Sequence, residues 1–210
     1  HGSSAVVDGT LKDNVCIKAV DGLITAITLN CAQTPDSSST GTLIPGFVDI
    51  HTHYDGQVTW SNQIASSSQL GVTTVVMGNC GIGFAPCNPE HRQVMMKLME
   101  GVEDIPGTAL HEGISWEWET FPEYLDAIDA RNYSMDIAAY VPHGAVRGYV
   151  MGDRGARNED ATEQDIAEMA QIVLDARKAG AVGFSTSRTM GHKAKDGQPV
   201  PGTFANTTEL

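Results

Sequence analysis

Residues 45–55 read Pro45-Gly46-Phe47-Val48-Asp49-Ile50-His51-Thr52-His53-Tyr54-Asp55. The apolar run 47–50 predicts a short strand, and it ends in two histidines one residue apart. Side chains of an extended chain alternate faces, so His51 and His53 point the same way. Two imidazoles on one face, at the carboxyl end of a strand, form a bidentate clamp for zinc or a similar divalent ion. Two exposed histidines in a loop would give the same letters, so the context has to decide. Gly46 precedes the strand, and Asp55 follows within reach of a ligand shell, in a supporting or structural role.

Outward from that stretch the chain changes character. After it, strands alternate with helices. The run 72–77 is β-branched and apolar on both faces, as a buried parallel strand requires, and closes on Gly78-Asn79-Cys80-Gly81. Helical spacing of apolar residues covers 89–99, and a loop rich in Gly, Pro and Trp then runs to 119. Thr120-Phe121-Pro122-Glu123 is a capping box with proline in the first turn, opening a helix to Ala130. A third strand, 137–141, closes on Pro142-His143-Gly144. Thr162 caps a second clear helix that ends at Gly180. A fourth strand, 181–184, ends in Ser185-Thr186-Ser187-Arg188. Asn206-Thr207-Thr208-Glu209 then reads as the start of another helix, cut off after Leu210.

Before residue 45 the pattern is different. Short strands are expected at 5–7, 15–19 and 23–29, with Asp21-Gly22 as a hairpin turn. The Ser/Thr/Pro-rich stretch 32–41 reads as a linker. Residues 1–44 are therefore expected to be a small β-rich segment, a β-sandwich piece too small to hold a core alone.

Repeated strand–helix units predict a parallel sheet with right-handed crossovers. The polar groups cluster after strands, where a (β/α) TIM-type barrel places its chemistry. Four strands are half of an eightfold barrel, which needs roughly 250 residues. Residues 45–210 are thus expected to be the first four β/α units of a truncated barrel. Its open apolar edges predict an oligomeric partner, such as a second copy.

Composition narrows the function class. A net charge of −13 and the absence of a basic cluster argue against nucleic acid and anionic membranes as partners. No apolar run is long enough to span a bilayer. The four cysteines, Cys16, Cys31, Cys80 and Cys87, show no ribbon or redox spacing, so a reducing, cytoplasmic location is the expectation. The opening His1-Gly2-Ser3 has the look of a tag remnant. Cys80, at the end of the second strand, can meet His51 and His53 at one mouth, or be a small buried hydrophobe in a tight turn. His143 reads as a ligand, a substrate contact or a loop histidine held by local hydrogen bonds. His91, His111 and His192 read as solvated, and Trp116 and Trp118 as anchors of a long loop.

The motifs together resemble the amidohydrolase superfamily, and within it the N-acyl-D-amino-acid deacylase (D-aminoacylase) group. Beside 45–53, the resemblance rests on 71–81 (Gly-Val-Thr-Thr-Val-Val-Met-Gly-Asn-Cys-Gly), 99–107, 118–124, 141–144 and 183–188, and it extends over about residues 14–210. It implies a zinc-dependent hydrolase that cleaves the amide of a small N-acyl-D-amino acid. His51 and His53 match the family's His-x-His ligands, and Cys80 matches its cysteine ligand. Two further histidine ligands and the aspartate base belong to later strands in the family. The base aspartate is therefore expected beyond Leu210, no catalytic residue is expected within this chain, and activity of the chain alone is expected to be low. Ser187 and Arg188, with His143, are candidates to orient a substrate carboxylate. The alternatives are a hydantoinase-like or dihydroorotase-like amidohydrolase, against which Cys80 argues, and an inactive fragment acting as a non-catalytic module.

Overall fold

The computed structural model describes residues 2–31 and 39–210; most of the expected linker, 32–38, lies outside the described residues. The chain divides into two units, the first ending at Gly46 and the second beginning at Phe47.

The first unit is one four-stranded sheet in the order β3-β2-β1-β4, built from β1 (Gly2–Val7), β2 (Thr10–Val20), β3 (Leu23–Leu29) and β4 (Ser39–Leu43). Asp21 and Gly22, both at positive φ, turn β2 into β3 as their sequence predicts. Where a sandwich piece was expected, a single sheet is described. The thiol expectation is corrected as well: Cys16 and Cys31 form a disulfide that ties β2 to the residues after β3. Irregular spacing hides this pair, because it is the hairpin that brings the two positions together.

The second unit carries four parallel strands in chain order: β5 (Phe47–Asp49), β6 (Val72–Met77), β7 (Asp136–Pro142) and β8 (Gly183–Ser185). This is an α/β half-barrel sheet, and it makes every strand's carboxyl end point to one rim. β6 buries Val75, Val76 and Met77 and is paired on both sides, while the edge strand β5 leaves Phe47 and Val48 more than half exposed.

Helices α1 (Ala65–Gln69), α2 (Arg92–Glu103), α3 (Gly107–Gly113), α4 (Phe121–Asp129), α5 (His143–Met151), α6 (Asp153–Ala156) and α7 (Glu163–Ala179) fill the connections. α2 turns Met95, Met96, Leu98 and Met99 inward; α4 contributes Phe121, Tyr124 and Ile128 to the same core. Both capping boxes form: Thr120 accepts from the Glu123 amide and Thr162 from the Asp165 amide, each acid answering on the cap residue's own N–H. Trp118 anchors its loop as expected, buried and donating Nε1–H to the Phe84 carbonyl at 2.8 Å.

Three stretches differ from the sequence expectation, the first being 39–41, the end of the expected linker, which belongs to β4. The loop before 119 contains α3, and the segment after β7 coils at once into α5 and α6. At the expected helix start, residues 207–209 form a turn. Asn206 Oδ1 accepts from the amides of Thr208 and Glu209, the bonds a helix N-cap residue makes.

Candidate metal centre

The two loops that matter leave neighbouring strands, β5 and β6, and are stitched to each other. Thr52, the residue between the histidines, donates its amide (3.0 Å) and its hydroxyl (2.9 Å) to the Val76 carbonyl. Asn79, the residue before the cysteine, donates from its side chain to the Val76 and Thr52 carbonyls at 2.9 and 3.2 Å. Thr52 and Asn79 are both buried, so these bonds are shielded from water competition. Their effect is to fix the register of the His-x-His strand end against the Cys80 turn.

That turn is tight. Gly78 sits at φ 76°, and a Cβ there would lie 2.2 Å from the Tyr140 carbonyl oxygen, so only glycine lets β6 pass β7 this closely. Cys80 itself is left-handed at φ 56°. From β8, the Ser185 hydroxyl donates to the Gly78 carbonyl and accepts from the Gly81 amide, pinning the turn from the other side.

The outcome is a convergence of three donors. One ligand atom each from His51, His53 and Cys80 lie within 4.8 Å of one another. His51 Nε2 is 3.2 Å from Cys80 Sγ, and the two imidazoles stand 5.6 Å apart at 61°. Burial, with help from His51 and His192, pushes His53 down to about 4, so its ring is neutral and offers a lone pair at neutral pH. Burial, with Glu103 second, pushes the Cys80 thiol up, so the thiolate forms only as a cation takes the proton's place. Two imidazoles and one sulfur, tightly grouped, fit a soft-to-borderline divalent ion.

Two acids border the set. Asp55 is 2% exposed, and burial raises its carboxyl to about 7; its Oδ2 has no hydrogen-bond partner among the described residues. Its backbone carbonyl accepts from Tyr124 Oη at 2.7 Å, which locks the chain just past the histidines. Glu103, the last residue of α2, places Oε1 3.3 Å from His53 Nε2. Glu103 and His192 are the neighbours that sequence reasoning passed over. His192 is not solvated: it is half-buried, bonds Ser187 Oγ through Nδ1 at 3.3 Å, and acts electrostatically on both His53 and Glu103. No local spacing links positions 53, 103 and 192; the sheet alone brings them together.

The candidate substrate residues are spread around the same rim. Ser187 is half-buried against His192, and Arg188 is exposed with Nη1 donating to the Ala205 carbonyl at 2.7 Å. His143 lies deeper, 2% exposed, its Nδ1 2.9 Å from Thr186 Oγ1 and its Nε2 2.8 Å from Glu209 Oε1. Leu210, beyond which the base aspartate is expected, is an exposed aliphatic residue with no proton to exchange; the buried acid at this end of the chain is its neighbour Glu209, engaged by His143 and Arg147.

Comparison with known proteins identifies the family and the fold. The profile of the amidohydrolase family matches residues 40–209. A D-aminoacylase of Alcaligenes xylosoxydans xylosoxydans is 37% identical over 142 residues, 68% of this chain and 26% of that protein. An N-acyl-D-aspartate deacylase of the same organism is 33% identical over 145 residues, 69% of this chain and 26% of its own length. Among solved structures, a D-aminoacylase superposes with a TM-score of 0.71 at 28% identity, over 99% of this chain and 40% of that one. An N-acyl-D-glutamate deacylase from Bordetella bronchiseptica, complexed with zinc and a phosphonate mimic of the tetrahedral intermediate, does so with 0.71 at 27%, over 100% and 40%. The chain spans about a quarter of the length of the curated relatives.

Proposed function

The chain belongs to the amidohydrolase family, and from that premise we propose that the protein carrying it is a zinc-dependent hydrolase that removes the acyl group from N-acyl-D-amino acids. The observation that carries this reading is the convergence of His51, His53 and Cys80 within 4.8 Å at the ends of two adjacent parallel strands. Relatives named for this chemistry, one of them solved with zinc, point the same way.

In this reading His51, His53 and Cys80 hold the ion. Zinc, when bound, polarises the scissile carbonyl and lowers the pKa of its water. Everything else concerns how the chain presents that group. Thr52 and Asn79 keep the two ligand loops in register. Asp55, largely protonated below about pH 7, stands behind the histidines as a supporting residue rather than as the proton acceptor. The acceptor is then an aspartate beyond Leu210, as the family resemblance implies. Arg188 and Ser187 face the rim from β8, where a guanidinium fork suits the carboxylate of an N-acyl amino acid. His143 has both ring nitrogens committed to buried partners, and its part is to hold that rim in place.

The signs of compartment are mixed. No helix among the described residues is long and apolar enough to cross a membrane. A cytoplasmic home fits the free thiols Cys80 and Cys87, whereas the Cys16–Cys31 disulfide favours an oxidising one.

The test is elemental analysis of the purified protein and of Cys80→Ala, beside acid release from N-acetyl-D- and N-acetyl-L-amino acids. We expect near-stoichiometric zinc that falls sharply in the variant, and D-selective hydrolysis that falls with it. Undiminished zinc in Cys80→Ala would remove the proposed ligand set.

A further inference from the structure

Arg92 is the first residue of α2, and it has no acid to meet. In a chain with 26 acidic residues against 13 basic ones, its guanidinium makes no hydrogen bond or ion pair among the described residues, and its Nε is buried without a partner. Glu119 acts with Arg92 on the Cys87 thiol, but its carboxylate is engaged by Tyr149 Oη at 3.0 Å. A half-buried cation with unused donors is a costly group to leave unanswered.

What Arg92 has instead is an aromatic platform. Its Cζ lies 5.1 Å from the centroid of the Trp116 ring, which Phe84 meets edge-on at 5.7 Å and Trp118 meets at 5.6 Å. Trp116 stands at φ 53°, a left-handed conformation that large side chains rarely adopt and that packing on several sides maintains. The stack fixes the guanidinium plane and leaves its donors without acceptors. Arg92 and Trp116, with Pro89, Gln93, Met96 and His111, line an open cavity of about 240 Å³. Gln93, Met96 and His111 also line an adjoining groove of about 480 Å³ along α2 and α3. Apolar walls around one fixed cation describe the complement of a molecule with one charged end and an apolar body.

We propose that this cavity is a binding site for a small organic monocarboxylate, whose charged end pairs with the Arg92 guanidinium and whose apolar body lies against Pro89, Met96 and Trp116. The guanidinium fork matches a carboxylate, and no other Lys or Arg lines the cavity to balance the second charge of a phosphate. The site is remote from the candidate metal centre. Glu103, which approaches His53, ends the helix that Arg92 begins, and a rise of 1.5 Å per residue from 92 to 103 separates them by about 16 Å. A carboxylate bound here touches none of His51, His53 and Cys80, so the proposal stands independently of the metal reading.

Calorimetric titration of the purified protein with hexanoate, with hexanamide and with inorganic phosphate tests this. Hexanamide keeps the shape of hexanoate and lacks its charge. We expect hexanoate to bind with a Kd of about 1 mM or below, and hexanamide and phosphate to bind about tenfold or more weakly. Arg92→Met, which keeps an apolar stem over Trp116, should weaken hexanoate about tenfold or more. Arg157→Met, which removes a surface arginine already paired with Glu159, should leave it unchanged. Hexanoate bound no more tightly than hexanamide, or phosphate bound more tightly than hexanoate, overturns the proposal in the wild type, with no variant needed. Unchanged hexanoate affinity in Arg92→Met also overturns it, because the carboxylate would then sit elsewhere, as at the candidate metal centre.

Discussion

Replacing Glu209 with glutamine should cost this fold about 3 kcal/mol. The carboxylate is 1% exposed and takes bonds from two buried bases: Oε1 lies 2.8 Å from His143 Nε2 and 2.5 Å from Arg147 Nε, and Oε2 lies 3.3 Å from Arg147 Nη2. Breaking a buried pair by removing one partner leaves a charge that neither water nor protein compensates, typically at about 3–5 kcal/mol. Arg147, 1% exposed, keeps two other acceptors, the Gly155 carbonyl at 3.3 Å and the Glu159 carbonyl at 2.6 Å. That retained shell sets the expected cost at the lower end of the range. Urea denaturation followed by tryptophan fluorescence is the assay, since Trp60, Trp116 and Trp118 all belong to the second unit. With a slope of about 2 kcal/mol per molar, the midpoint should fall by about 1.5 M. Arg147→Met combined with Glu209→Gln should lose less than the two single changes added together, because the orphaned charge is gone. A midpoint for Glu209→Gln within about 0.3 M of wild type, or strict additivity in the double variant, would refute the reasoning.

Other expectations concern the turn, the acid limit and the first unit. Gly78→Ala should lose most of its metal along with stability, since a Cβ 2.2 Å from the Tyr140 oxygen forces the end of β6 and its Cys80 turn away from β7; metal content equal to wild type counts against it. Asp165 is held down at about 2, first by its bond from Arg154 and then by the Thr162 amide. Because that folded value lies below the ordinary 3.8, its stabilisation is complete above about pH 5 and is lost as pH falls toward 2. Asp165→Asn should therefore be less stable than wild type at pH 6 and match it near pH 2; a constant gap across that window would contradict the assignment. Cys31→Ser opens a loop of sequence separation 15 and should cost the first unit about 3 kcal/mol. Amide exchange in β2 and β3 reads this, and unchanged protection in the variant argues against a stabilising disulfide.

What could be read from the sequence divides along the distance over which each signal acts. The capping boxes at Thr120 and Thr162 are complete within four residues, and both helices form where their letters place them. The alternation in 47–53 and the β-branched run 72–77 mark their strands for the same reason: a strand's face is set by its own pleat. The segment after Pro142 hid α5 because its spaced glycines, Gly144 and Gly148, weaken a helical reading, and it is tertiary burial of His143, Val146 and Arg147 that holds the helix. Asn206 carries a capping signal of the same local kind, and its side chain accepts from the amides two and three residues on, as that signal predicts. Cys16 and Cys31 were invisible as a pair, since four cysteines in irregular spacing admit several pairings.

The candidate metal centre shows the same division within a single site. His51 and His53 stand one residue apart just past the end of β5, so their pairing in the candidate site was legible from two letters. Cys80 needed the next strand, and the parallel pairing of Val48 with Thr74 and Asp49 with Val75 is what sets the two strand ends level. Thr52 and Asn79 then bind one another's loops through shared use of the Val76 carbonyl, near the end of β6. Each of these steps adds one strand. Glu103 and His192 come from a helix end and from a loop beyond the fourth strand, so their approach depends on every crossover between β5 and β8 being right. A residue's place is thus legible in proportion to how few elements must be set before it reaches the candidate site, and Glu103 and His192, beside that site in space but far along the chain, are the ones that only the fold could bring to it.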